Sequence, residues 1–401
     1  MSAMKKRIAI ITERANIALG GAERSIFELA AALSGLGCDV DILAASGQAN
    51  TRNVHILCRD KRGGRIGHAT FARALKEHLL QNKYDIIHSV LPFEFADVYQ
   101  PRGGTYAESI LRHAASHRSR FVRSCKRLTA FTNLRRAALL RAERRLSRAA
   151  DGPVIAALSR YVAEQFQRHY GADSQRIVVI PNGVKTDRPV SKDQVDRLRS
   201  QILAQARLRE ADNPVLFLFV ANNFRLKGLG PLIEAVWAAA QPQSEHKCCL
   251  VVIGRDGARK YRRLAKRLDL HASGQRIVFL GSVSQIQGAL SVADVAVLPT
   301  FYDPASRFIL ESLAAGKPVI TTKFNGATDL FVDNRHGKVI DTPENVDALA
   351  EAIRYFTDTS NIERASQAIA QDNLKDNISI SRAAREMMSL YESILQRKAR
   401  P

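Results

Sequence analysis

Short apolar runs alternate with longer amphipathic segments along most of this chain, and that alternation leaves few folds open. In the first half the runs are RIAIIT, DVDILAA, VHILC, DIIHSV and PVIAAL; in the second they are VLFLFVA, CLVVIG, RIVFLG, DVAVLP and KPVITT. Apolar side chains at nearly every position suit strands buried on both faces, as in parallel sheets covered by crossover helices. The pattern pauses at IPNGVKTDRPV, residues 180 to 190, where Pro181, Asn182 and Gly183 signal a turn. At 401 residues the chain exceeds what one core usually supports, so two α/β domains with parallel sheets are expected, 1–183 and 184–379. A last helical segment, SRAAREMMSLYESILQ, has no strand after it and could pack on either.

Charge is distributed unevenly. The net charge is +21, and from Arg112 to Arg148 twelve Arg or Lys face the single acid Glu143. A solvated helix pair is the plain account; the functional ones are an anionic lipid surface or nucleic acid. Phe121, Leu128, Phe131, Leu134, Leu139 and Leu140 set apolar groups beside the charge, which suits an interfacial helix. No zinc-finger or RNP motif accompanies the arginines, so a membrane surface is the preferred reading. Five scattered cysteines without a CxxC pair fit reduced thiols in a cytosol. Glu13 and Arg14 interrupt the apolar run of MSAMKKRIAIITERA too early for a signal peptide or span, so any membrane contact is expected to be peripheral.

Ligands of open parallel sheets bind beyond the carboxyl ends of the strands, and three loops there carry suggestive residues. Gly20 and Gly21, after the first strand, precede a helix and would let backbone N–H groups approach an anion, although a plain tight turn explains them equally. The loop lacks both GxxxxGK[ST] and GxGxxG. Arg225 and Lys227 in VANNFRLKGLG could hold a diphosphate, Arg through its fork and Lys as a point charge. In PASRFILESLAAGKPVITT, Pro304 is expected in the first turn of a helix that ends before Gly316, with unpaired N–H groups near Ser306, Arg307 and Phe308 facing a phosphate. Glu311 would then be either an exposed i,i+4 partner of Arg307 or a ligand for paired ribose hydroxyls one turn below that phosphate.

GGAER, LSRYV at 158 to 162, IPNGV, FRLKG, VVIG and PASRFILESLAAGKPVITT together, in order and spacing over nearly the whole chain, resemble family 4 glycosyltransferases. The resemblance implies a GT-B fold, with two Rossmann-like domains facing across a cleft and helix 380–398 crossing back to the N-terminal, acceptor-side domain. It also implies transfer of a sugar from a nucleotide diphosphate donor held by 184–379, with retention and without a metal or other cofactor. FRLKG, GRDGARKY and the basic segment look most like lipopolysaccharide core glucosyltransferases, whose acceptor is a phosphorylated membrane glycolipid.

Carried onto this sequence, the resemblance sets Gly20 and Gly21 against the donor phosphates, Arg225 and Lys227 on the diphosphate, and Glu311 on the ribose as the second acid of E-x7-E. The first acid falls on Asp303, one methylene shorter than the usual glutamate, and bears on the donor sugar. Where relatives carry a histidine beside the anomeric carbon, YQPRGGTYAES offers Tyr106; His88 in DIIHSV is the other acceptor-side candidate. The resulting expectation is a cytoplasmic, peripherally membrane-bound hexosyltransferase, moving glucose from UDP-glucose to a lipopolysaccharide-core-type acceptor. The rivals are the same fold acting on an exopolysaccharide or other glycan, and an arginine-rich nucleic-acid-binding protein.

Overall fold

The computed structural model describes residues 5–17, 20–49, 51–58, 66–187, 190–240, 247–255, 257–268, 276–283 and 286–399, apart from the side chains of residues 130 and 131. Ala18 and Leu19 of the glycine loop, Asp256 of GRDGARKY and the Phe131 side chain therefore lie outside the described residues. Thirteen strands are present among those described: β1 (Arg7–Ala15), β2 (Asp39–Gly47), β3 (Val54–Ile56), β4 (Ile86–Ser89), β5 (Val98–Tyr99), β6 (Val154–Ala157), β7 (Ile177–Val179), β8 (Val215–Val220), β9 (Cys248–Ile253), β10 (Arg276–Gly281), β11 (Val295–Leu298), β12 (Val319–Thr322) and β13 (Gly337–Ile340). They form two sheets, ordered β3-β2-β1-β4-β5-β6-β7 and β10-β9-β8-β11-β12-β13, and every strand pairing is parallel. The chain divides into two compact units, one holding residues up to Ala114, 119–184 and Ile380 onward, the other Ala115–Arg118 and Lys185–Ser379.

Three strands escaped the sequence pattern. β5 has two residues, β7 three, and β13 reads GKVI, so none offers enough periodicity to register.

In the first unit the strand alternation sorts β1 onto two faces. Ile8 and Ile10 join a core that includes Ile26, Leu29 and Leu33 of helix Gly21–Gly35. Ala9 and Ile11 join Phe71 and Leu75 of helix His68–Gln81, with Leu91 and Phe93. The final helix, Ile380–Lys398, buries Ala384, Met387, Leu390, Tyr391 and Ile394 in the first of these cores. Its start is fastened where the chain leaves the unit: the Ile380 N–H donates to the Val184 carbonyl at 2.9 Å, and Arg382 Nη2 donates to the carbonyls of Pro181 and Asn182 at 2.9 and 3.1 Å. In the second unit β8, β9, β11 and β12 are buried along almost their whole length, as strands covered on both faces must be.

Candidate active site

In the second unit the carboxyl end of β8 leads into Phe224–Gly228 and the end of β11 into Pro299–Asp303, and the two loops are stapled together. Phe301 N–H donates to the Leu226 carbonyl at 2.8 Å, and Thr300 Oγ1 donates to the same oxygen at 3.3 Å. Gly228 is required there, since φ is +80° and a Cβ would stand 1.9 Å from the Pro299 carbonyl oxygen. The staple sets Lys227, whose Nζ donates to Asp303 Oδ2 at 2.6 Å and to the Tyr302 carbonyl at 2.9 Å. Side-chain exposures of 19% and 15% leave this charge-assisted bond partly screened from water. These are the two acceptors of Nζ among the described residues, so a cation is held in place with a donor to spare. Arg225 stands two residues earlier, its Nη1 3.5 Å from Nδ1 of His117 in the same unit.

The helix in PASRFILESLAAGK begins later than expected. It spans Arg307–Ala314 with Ser306 as N-cap, so Pro304 precedes it, and Ser306 Oγ accepts from Ile309 N–H. Gly316, at φ +74°, ends it as expected. The Ser306 N–H is not free for a phosphate: it donates to Oδ1 of Asn325 at 3.2 Å, while Phe308 turns its ring into the interior at 7% exposure. Arg307 Nη2 donates to Glu311 Oε1 at 2.9 Å, so the i,i+4 pair exists. It does not lie on an exposed face, because both side chains are only 9% exposed. Glu311 also lines a hollow of about 260 Å³ with Lys185, Thr186, Gln287 and Ser291.

Asn325 went unnoticed in the sequence and does much to hold this edge. It is fully buried; Oδ1 accepts from Ser306 and Ala327 N–H, and Nδ2 donates to Thr321 Oγ1 at 2.9 Å. Its backbone bridges to Asp303. The available signal was the Asn-Gly pair directly after an apolar strand, beside the strand that leads to Asp303.

In the first unit Gly20 is extended backbone preceding helix Gly21–Gly35, with no side-chain cap on that helix. His88 is wholly buried, its Nδ1 2.6 Å from the Tyr391 hydroxyl of the final helix, and burial beside Arg102 pushes its pKa down to about 3. That makes it a neutral, buried group. Tyr106 begins helix Tyr106–Ala115, and its N–H donates to Glu143 Oε2 at 2.7 Å. Glu143, the one acid of the basic segment, is itself fully buried and accepts also from the hydroxyls of Tyr99 and Tyr170. Burial pushes its carboxyl up to about 7. Helix Arg120–Leu128 buries none of its residues, and Phe121, Leu128 and Leu134 stand 77%, 76% and 85% exposed beside the arginines. Among the described residues no helix is long and apolar enough to cross a membrane, and no three His, Cys, Asp or Glu converge as a metal site.

Two family models divide the chain between them, Glycosyltransferase Family 4 over residues 19–188 and Glycosyl transferases group 1 over 201–373. The chain is a GT-B glycosyltransferase. Lipopolysaccharide glucosyltransferase WaaG of Escherichia coli K12 is 24% identical over 339 residues, covering 84% of this chain and 85% of that protein. The crystal structure of a WaaG glycosyltransferase involved in lipopolysaccharide biosynthesis superposes with a TM-score of 0.66 at 22% identity, over 98% of this chain and 100% of that one. Anabaena HepE, solved in complex with UDP and glucose, gives 0.67 at 20% identity over 97% and 100%. These likenesses show the two-sheet glycosyltransferase fold.

Proposed function

We propose that this glycosyltransferase moves glucose from UDP-glucose, with retention, to a lipopolysaccharide-core-type glycolipid. The second unit is the donor side in this reading. Lys227 and Arg225 hold the diphosphate and offset the negative charge that develops on it as the C1–O bond breaks. Glu311 takes the ribose hydroxyls from the wall of its hollow, and Asp303, bonded to Lys227, faces the transferred sugar. The acceptor oxygen bonds to C1 on the face the phosphate leaves, and its proton passes to a phosphate oxygen, so no protein base is needed. The observation that carries the reading is the Lys227 ammonium, fixed by two acceptors at the carboxyl end of β8 with a donor left over. The likeness to WaaG supports a glycolipid acceptor, and the HepE complex supports a UDP-linked donor.

The first unit is the acceptor side, and its basic segment is the contact with the anionic inner face of the cytoplasmic membrane. Helix Arg120–Leu128, which buries none of its residues and sets exposed Phe121 and Leu128 beside its arginines, supports that contact. A thermal-shift screen of UDP-, GDP-, ADP- and CMP-sugars tests the donor, with the largest rise expected from UDP-glucose. Flotation with anionic vesicles at low salt tests the membrane contact; failure to float would leave a water-soluble glycan as the acceptor.

A further inference from the structure

The two cations of the FRLKG loop are held in different ways. Lys227 shares its charge with the Asp303 carboxylate at 2.6 Å. Arg225, two residues earlier and only partly buried, makes no ion pair among the described residues. Its side-chain partner among them is His117, with Arg225 Nη1 3.5 Å from His117 Nδ1. The Arg225 Nε is buried without a partner, so the two outer nitrogens carry what the guanidinium offers a ligand.

His117 reaches this loop from a distant part of the chain. Residues Ala115–Arg118 belong to the second unit, although in sequence they join helix Tyr106–Ala115 to helix Arg120–Leu128, both of the first. Its neighbours on either side are fixed: Ser116 is buried, and Arg118 Nη1 pairs at 3.2 Å with Glu234 Oε1 of helix Leu229–Ala238.

A guanidinium has five N–H donors and no acceptor, so His117 must accept at Nδ1 and carry its ring proton on Nε2. The imidazole is therefore neutral in this contact. A carboxylate in its place would orient Arg225 and also cancel its charge, as Asp303 does in part for Lys227. A neutral nitrogen orients the fork and leaves the charge whole. At 3.5 Å the bond is long, so it steers a flexible side chain without locking it. An oriented cation with no acid beside it, at the carboxyl end of a parallel strand, is prepared for an anion from solution.

We infer that His117 is a positioning residue for the donor: by accepting from Arg225 Nη1, it aims the guanidinium at the diphosphate and leaves its positive charge uncancelled. This rests on the reading in which Arg225 holds that diphosphate.

Calorimetric titration of the full chain with UDP, with GDP and ADP alongside, tests it through a double-mutant cycle of His117→Phe and Arg225→Ala. His117→Phe keeps a ring and removes the lone pair, whereas His117→Asn sets an amide oxygen close to where Nδ1 stands. Arg225→Ala is expected to weaken the best-bound nucleoside diphosphate by about 10- to 100-fold. His117→Phe should weaken it by about five-fold or more and His117→Asn by less than about two-fold. Once Arg225 is alanine, His117→Phe should add less than about two-fold, whereas a general loss of folding would act in either background. Three results would overturn the inference and leave the donor reading intact: His117→Phe binding like wild type, His117→Asn as weak as His117→Phe, or an equal His117→Phe effect with and without Arg225. Arg225→Ala binding like wild type, or no binding of any of the three nucleotides by the wild type, would overturn the donor role of Arg225 and this inference with it.

Discussion

In the second unit Lys227, Asp303, Arg307, Glu311 and Asn325 find partners in one another and in nearby backbone, whereas in the first unit Glu13 Oε1, His68 Nε2 and Arg135 Nε are buried without a protein partner among the described residues. The difference is in what holds them. A network that answers its own charges keeps its geometry whatever is bound, which suits a nucleotide diphosphate of constant shape. Buried groups that lack partners cost free energy instead.

If the second-unit network is the donor machinery, removing its cation should have the largest effect. Lys227→Ala is expected to lower kcat/KM for the nucleotide sugar by about 10²- to 10³-fold, measured as sugar release or transfer. Retention of full activity would remove the diphosphate role. The next effect is on the staple. Gly228→Ala puts a Cβ against the Pro299 carbonyl at positive φ and should destabilise the second unit by about 3 kcal/mol in denaturant unfolding. A smaller change with intact activity would mean that the loop pair tolerates movement.

Glu143 sharpens the contrast from the first unit, because it is a buried acid held by three donors and pushed up to about 7. A carboxyl with a raised folded pKa binds its proton more tightly folded than unfolded. Its contribution is therefore complete below about 4.5, the unfolded value, and is lost as pH rises through about 7. Between pH 5 and 7 this amounts to about 2 kcal/mol, seen as a melting temperature that falls with pH. Glu143→Gln should flatten that slope; an unchanged slope would place the titration elsewhere. The smallest effect is expected at Glu311. Glu311→Gln keeps the side chain's size and weakens ribose binding, so KM for UDP-glucose should rise about five- to ten-fold with kcat little changed.

Much of the architecture could be read from the chain because parallel strands buried on both faces leave unbroken apolar runs. Strands of two or three residues, such as Val98–Tyr99 and Ile177–Val179, leave no such trace. Lys227 and Glu311 drew notice because each is a charge in a loop or helix otherwise marked by Gly and Pro punctuation, whereas Asp303 came only from the family resemblance. What the spacing could not reveal was burial: Glu311 lies on a nearly closed face, and Glu143 lies in the core instead of among its solvated arginines. Asn325 looked like an ordinary turn residue, and only the fold brings its oxygen to Ser306. Glu13 and Arg135 come from two elements far apart in sequence, so no local pattern could have paired them.

The fastening of Ile380 to Val184 also sets an order of events during synthesis. The first unit is begun before the second, yet its core includes Met387, Leu390, Tyr391 and Ile394, which the ribosome adds only after the whole second unit. Translation from Val184 to Ile394 takes about 10–40 s at ordinary speeds. Throughout that interval helix Gly21–Gly35 has an uncovered apolar flank, and the second unit gains its last strand, ending at Ile340, before the covering helix is made. The first unit is therefore completed after the second, and for that period it is the part of the nascent chain that calls for chaperone protection.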